Sequence, residues 1–164
     1  MSNGKLVIPK GVKELGADCF KGSQVQEVII PEGVLKLGSS AFLDCRGLKK
    51  IALPDGLEYI GENCFQNTGL SNVKVPSSVK TIMPYAFSAC QDLVSITLPD
   101  SLGTIPRNCF WQSGLEEITV PRSVEAICRG AFQECRKLRR VDFAASSRLR
   151  TVEGCAFKQC NNLQ

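Results

Sequence analysis

Nine cysteines are the residues of this chain best suited to chemistry, since a thiol can attack a carbonyl, hold a metal or pair into a disulfide. Their surroundings in the sequence favour none of these. The chain contains no histidine, which excludes Ser-His and Cys-His nucleophile pairs and leaves zinc without its usual mixed ligand set. No two cysteines stand in a CxxC pair. Glu116 and Glu117 are adjacent carboxylates, but on a strand neighbouring side chains point to different sides, a poor arrangement for an acid/base dyad. The glycine of Gly69-Leu-Ser-Asn72 is followed by no phosphate-binding lysine. We therefore expect no active site, no cofactor and no metal centre in these residues.

The spacing of the same cysteines points to a repeating element that positions them. Cys19, Cys64 and Cys109 precede phenylalanines, and the alternate units carry Ala41, Ala86 and Ala131 there. A position that accepts Ala or Cys is a small buried apolar slot. Cys45, Cys90, Cys135 and Cys160 each follow a phenylalanine by three residues. Members of one such ladder recur every second coil, so with stacked strands about 4.8 Å apart they lie roughly 10 Å from each other. That exceeds the ~7 Å Cα limit for a disulfide. Cys135 and Cys160 are the exception, being in adjacent coils, and Cys128–Cys155 is the other pair to consider for bridging. Cys128 and Cys155 lie off the ladders, which makes them the candidate exposed, reactive thiols.

The frame behind the cysteines is explicit. Prolines stand at 9, 31, 54, 76, 99 and 121, and Phe20, Phe42, Phe65, Phe87, Phe110 and Phe132 each follow one by 11 residues, with Phe157 closing the series. A period of 22 to 23 residues held this faithfully specifies a repeat solenoid rather than a globular fold. Pairs two residues apart precede each proline (Val28/Ile30, Ile51/Leu53, Ile96/Leu98 and their equivalents), as a short strand with one buried face requires. Proline ends the strand because it cannot donate to a sheet ladder. Pairs three apart, such as Val34/Leu37 and Leu57/Ile60, predict a second short extended segment on another wall. The Ala/Cys-Phe pair then predicts a helical turn. Exits from that turn alternate: short in Gln66-Asn-Thr-Gly69 and Trp111-Gln-Ser-Gly114, one residue longer in Leu43-Asp-Cys-Arg-Gly47 and Gln133-Glu-Cys-Arg-Lys137. The true period is thus a 45-residue pair of coils. The last unit departs, with Ala144 in the place of proline and two extra residues within Ala144–Leu149, which predicts a bulged turn.

Charge narrows the partner classes. Between Pro121 and Arg150 stand eight arginines and lysines against three carboxylates, an excess larger than the +4 of the whole chain. This is a solvated basic face or an anion-facing patch. Phe132 and Phe143, the nearby aromatics, fall at core positions, so no specific nucleic-acid recognition is expected. No run of some 18 apolar residues could span a membrane, and Met1-Ser-Asn-Gly-Lys leads into the repeat with no signal-peptide apolar stretch. We expect a single solenoid domain over residues 1–164, about seven repeats of 22–25 residues, as a monomeric fragment of a longer array.

The units Ile51–Leu70 and Val79–Leu93 resemble BspA-type leucine-rich repeats, also called the Treponema pallidum class, of form LxxIxLPxxLxxIgxxAFxxCxxL. The resemblance covers residues 6–164. It implies a right-handed, curved leucine-rich repeat coil, mainly short parallel β-strands with short helical turns, and a parallel sheet on the concave face. Members of the family are commonly surface or secreted proteins of bacteria and mucosal protists that act in adhesion to host proteins or coaggregation, and no catalytic residues transfer from them. The implied function is a non-catalytic protein-interaction module at the cell surface or secreted. A structural scaffold or spacer of a larger intracellular or multidomain protein is the alternative, and many buried thiols suit a reducing compartment. Partners of such solenoids meet the outward positions of the concave strands. Here these are Gln26, Glu27, Lys49, Lys50, Asn72, Lys74, Ser95, Thr97, Glu116, Glu117, Arg139, Arg140 and Asp142, together with Ile29, Ala52, Ser71, Val94 and Thr119. They do not repeat from coil to coil, whereas the core ladders do.

Overall fold

A computed structural model describes residues 4–164. The leading Met1, Ser2 and Asn3 of the N-terminal reading lie outside the described residues. Fourteen short strands alternate between two walls of a coil. The first wall carries β1 (Lys5–Val7), β3 (Glu27–Ile29), β5 (Lys50–Ala52), β7 (Asn72–Lys74), β9 (Ser95–Thr97), β11 (Glu117–Val120) and β13 (Arg140–Phe143). The second carries β2 (Glu14–Leu15), β4 (Lys36–Leu37), β6 (Tyr59–Ile60), β8 (Thr81–Ile82), β10 (Thr104–Ile105), β12 (Ala126–Ile127) and β14 (Thr151–Val152). Every pairing is parallel and joins equivalent residues of successive coils, as in Glu27↔Lys50 and Ile60↔Ile82. A right-handed parallel β-solenoid results. The proline turns close on themselves, Leu57 N–H donating to Pro54 O at 3.0 Å and Val79 N–H to Pro76 O at 3.1 Å.

The Phe-bearing segments form a third wall. The expected helical turns are present only as single turns, such as Ser23 N–H to Phe20 O at 3.0 Å, and no helix occurs among the described residues. The reason lies in two left-handed residues per coil. One stands two before the phenylalanine (Asp18, Ser40, Asn63, Tyr85, Asn108, Gly130, Cys155; φ 51° to 66°) and one two after it (Gly22, Asp44, Asn67, Ala89, Gln112, Glu134, Gln159; φ 55° to 68°). Positive φ is incompatible with helix propagation and is best tolerated by Gly, Asn and Asp. This alternation aims successive N–H groups at the next coil: Phe20 N–H donates to Ala41 O at 2.9 Å, Phe42 to Cys64 O at 2.9 Å and Phe65 to Ala86 O at 2.8 Å. The third wall is therefore laddered by hydrogen bonds although it contains no strand.

Inside the three walls the phenylalanines stack in a continuous file, with centroids 5.1 to 5.8 Å apart and rings within 20° of parallel. Val28, Leu37, Leu57, Ile60, Leu93 and Val124, all fully buried, fill the space around it together with their equivalents in the other coils, most of them buried or partly so. The expected burial weakens in the first and last coils. Cys19 is exposed, unlike Cys64 and Cys109, and Phe143 and Val152 are 48% and 52% exposed. Each has a coil packed on one side only, so half of the contact surface that buries its equivalents is absent. The predicted bulge after Ala144 is a turn centred on Ser146 (φ 58°), with β13 running on to Phe143.

The ladder cysteines have a role that spacing alone did not reveal. Cys45, Cys90 and Cys135 donate their thiols to the carbonyls of Phe20, Phe65 and Phe110 in the preceding coil, at 2.9 to 3.0 Å. Each sulfur also meets the hydroxyl of Ser23, Thr68 or Ser113 in that coil at 3.3 to 3.4 Å. A long exit thus caps the short exit before it, which gives the 45-residue period a physical basis. The two short exits that pack on a preceding coil also need glycine. A Cβ on Gly69 would lie 2.5 Å from Arg46 O, and one on Gly114 would collide with Gln91 O.

Candidate protein-binding face

The first wall presents the candidate binding residues, because alternate residues of a strand point to opposite faces. Its inward side chains, Val28, Val73, Ile96 and Ile118, are buried. Its outward ones form two rows in register: Lys5, Glu27, Lys50, then Asn72, Ser95, then Glu117, Arg140; and Val7, Ile29, Ala52, then Lys74, Thr97, then Thr119, Asp142. Gln26, Lys49, Glu116 and Arg139 lie just before their strands. None of the thirteen predicted residues is buried, and Glu27, Glu116 and Asp142 are half-buried. Strand alternation accounts for this outward placement.

The wall is not one sheet. Hydrogen bonding runs β1-β3-β5, then β7-β9, then β11-β13, and both breaks separate a strand that follows a long exit from one that follows a short exit. Each segment has its own chemistry. The first pairs Lys5 with Glu27 at 3.1 Å beside an apolar row in which Val7 is 58% exposed. The second is uncharged apart from Lys74. The third carries two ion pairs, Arg139–Glu116 and Arg140–Asp142. Hydrogen bonding to Asp142, and its charge, hold the Arg140 guanidinium above its ordinary pKa. An open cleft of about 490 Å³ spans the break between β9 and β11, lined by Thr97, Asp100, Glu117, Thr119, Arg140 and Asp142 among others. Asp100 was not among the residues read from sequence, since it follows the proline turn rather than lying on a strand. Lys49 reaches across an intervening coil to Asp92 at 2.7 Å, passing over Gly69. Only the absence of a side chain at Gly69 opens that path.

The basic segment is partly neutralised. Arg136 pairs with Glu134 at 3.2 Å, and Glu134 also accepts from Gln112 at 3.1 Å and Trp111 at 3.3 Å. These bonds, led by that of Gln112, lower the Glu134 carboxyl below its ordinary pKa. Of the two thiols read as reactive, Cys155 is exposed and holds a left-handed backbone position. Cys128 is half-buried beside Glu153, and burial followed by that carboxylate raises its thiol, the reverse of activation. Among the described residues no group of three or more Cys, Asp or Glu is gathered as a metal site, and no helix is long and apolar enough to cross a membrane.

The model of the BspA type leucine-rich repeat region matches residues 2–112 and 59–164, in six copies. The chain belongs to the BspA-type leucine-rich repeat family. Its repeats are known for protein interaction, and the solenoid is generally non-catalytic. No curated protein matches the sequence. Among solved structures, the Treponema pallidum leucine-rich repeat protein is 28% identical, with a TM-score of 0.86 over 98% of this chain and 78% of that one. A leucine-rich repeat protein from Bacteroides ovatus shares the fold at 24% identity and TM-score 0.72, over 96% of this chain and 52% of the other. The chain thus spans about half the length of that relative. A leucine-rich cell surface protein from Faecalibacterium prausnitzii shares the fold at 20% identity and TM-score 0.56, over 91% and 59% of the two chains.

Proposed function

We propose that this BspA-type chain is a single-domain, non-catalytic interaction module whose concave strand face takes a protein partner, at a cell surface and in an adhesive role. One observation supports the reading above others. The residues of the core ladders, turns and backbone caps recur from coil to coil, while the outward rows of the first wall change identity at every step but Thr97 to Thr119. The third segment, with Glu117, Thr119, Arg140 and Asp142 around an open cleft, offers polar groups of both signs to such a partner.

The test is surface plasmon resonance of the chain against a panel of purified extracellular matrix and cell-surface proteins. A fourfold reversal, Lys49→Glu, Lys50→Glu, Arg139→Glu and Arg140→Glu, is run beside the wild type. Because Lys49, Arg139 and Arg140 form exposed ion pairs worth about 0–1 kcal/mol each and Lys50 is exposed, the variant is expected to keep the fold by circular dichroism while affinity drops at least about tenfold. Unchanged affinity for every partner found would remove the concave face from the reading. A spacer role, for which the three hydrogen-bonded walls and continuous ring stack would supply stiffness, is supported instead if the panel yields no binder and another domain carries all binding.

A further inference from the structure

The alternation of cysteine with serine or threonine along the exit ladder fails at one place. Ser23, Thr68 and Ser113 separate the cysteines above them, but Cys160 stands directly on Cys135. Cys135 donates to Phe110 O at 2.9 Å, and Cys160 makes the equivalent bond one coil further on, to Phe132 O at 3.0 Å. Backbone bonds lock the two coils in register around the pair: Phe132 N–H to Ala156 O and Glu134 N–H to Lys158 O, both 2.8 Å. Equivalent residues of hydrogen-bonded strands or coils lie about 4.8–5.5 Å apart, inside the Cα window that a disulfide bridges. The two thiols are near enough that each shifts the titration of the other. Cys135 is buried and Cys160 half-buried, so only the second is open to an incoming reagent. The alternative pair is out of register: the counterpart of Cys128 is Glu153, and that of Cys155 is Gly130.

We propose that Cys135 and Cys160 form a thiol–disulfide exchange site that takes a low-molecular-weight disulfide as oxidant. The Cys160 thiolate attacks one sulfur of the reagent, breaking its S–S bond and releasing one thiol after protonation. The Cys135 thiolate then attacks the Cys160 sulfur of the mixed disulfide and releases the second thiol. The protein dithiol loses two electrons and two protons, which reduce one small disulfide to two thiols. The order of attack follows from the pair itself. The neighbouring Cys135 thiol favours the Cys160 thiolate and lowers its pKa against the opposing effect of burial, whereas the proximity of Cys160 and then burial raise Cys135. Once formed, the bond ties the last coil to the one beneath it, in place of two thiol caps on phenylalanine carbonyls.

The full chain is incubated in oxidised and reduced glutathione at fixed pH, quenched in acid, alkylated and read by intact mass and peptide mapping. The expected product is about 2 Da lighter than the reduced chain, with Cys135 and Cys160 in one linked peptide. In Cys160→Ser the linked product is expected to vanish and the fold to persist, because serine already occupies this rung at Ser23 and Ser113. A chain that stays fully reduced in buffers that oxidise a reference dithiol would overturn the proposal. So would a Cys160–glutathione adduct that never resolves, or a link joining any other pair.

Discussion

Replacing Phe87 by alanine removes the middle of the ring file, and the consequence can be worked from its contacts. Phe87 is fully buried and stacks on Phe65 at 5.3 Å and on Phe110 at 5.8 Å. A buried Phe→Ala change costs about 3–5 kcal/mol through lost transfer and the cavity left behind. Two ring pairs add about 0.5–1.5 kcal/mol each, so a loss of about 5 kcal/mol is expected. Phe157→Ala is the control, since that ring is partly buried and stacks only on Phe132, at 5.1 Å. Its expected loss is about 2 kcal/mol. Stability in a solenoid is a sum of unit and nearest-neighbour terms, so the interior change weakens two interfaces and the outer change one. Urea unfolding followed by circular dichroism measures both losses. Native-state hydrogen exchange should show in Phe87→Ala that amides on either side of the gap no longer open together. Equal losses for the two variants, or a loss below about 2 kcal/mol for Phe87→Ala, would refute the claim that the stacked file couples the coils.

Three further outcomes can be checked with the same unfolding assay. Gly114→Ala should destabilise by about 2–3 kcal/mol, because the new Cβ meets the backbone of Gln91 rather than a movable side chain, while Gly103→Ala, with nothing within 4 Å, should stay within about 0.5 kcal/mol of wild type. Ser88→Ala should stabilise by about 1 kcal/mol, since the Ser88 hydroxyl is buried with no hydrogen-bond partner; a loss of stability would mean the hydroxyl is satisfied. Burial pushes the Cys90 thiol from 9.0 up to about 11, so the folded state keeps a proton that the unfolded chain releases. Its contribution is whole below pH 9 and declines by about 1.4 kcal/mol per pH unit between 9 and 11. Cys90→Ala should flatten the alkaline fall of stability by that slope, and an unchanged slope would count against the buried-thiol assignment.

Most of the fold was legible because its determinants repeat. The β-branched pairs before each proline, the pairs three apart after it and the phenylalanine 11 residues on became the two strand walls and the ring file, with Ala144 and its insertion producing the turn at Ser146. The helical turns were legible, but the left-handed residues that hold each to a single turn were not, because such positions have only a loose type preference. Asp18, Asn63 and Asn108 carry that signal, but Tyr85, Ala89 and Glu134 occupy equivalent positions and do not. The first and last coils were over-buried in the reading because a pattern assigns Cys19 and Val152 the environment of their equivalents, whereas burial depends on neighbours on both sides. On the candidate face, direction was legible and grouping was not. Strand alternation places Lys50 and Asn72 outward, but the breaks after β5 and β9 divide the face into segments that alternation alone does not mark.

Those breaks and the cysteine caps belong to one arrangement. A short exit is followed by a long one whose cysteine reaches back to cap it, and the strands after that pair of exits remain hydrogen-bonded: Glu27 with Lys50, Asn72 with Ser95, Glu117 with Arg140. The step from a long exit to a short one has no such thiol contact, and there the concave sheet opens between β5 and β7 and between β9 and β11. On the first wall the hydrogen-bonded unit is therefore a set of strands whose preceding exits share a thiol, a carbonyl and a hydroxyl, while the second wall pairs β6 with β8 and β10 with β12 across both seams. At the seam between β9 and β11, side chains such as Thr97, Glu117 and Thr119 line one open cleft together. At the last coil Cys160 occupies the rung where a short exit would place serine, and its thiol caps Phe132 O of the coil before it. The residue that breaks the 45-residue alternation is thus also the one that brings two thiols together, so the chemistry of the pair and the geometry of the array have a single cause.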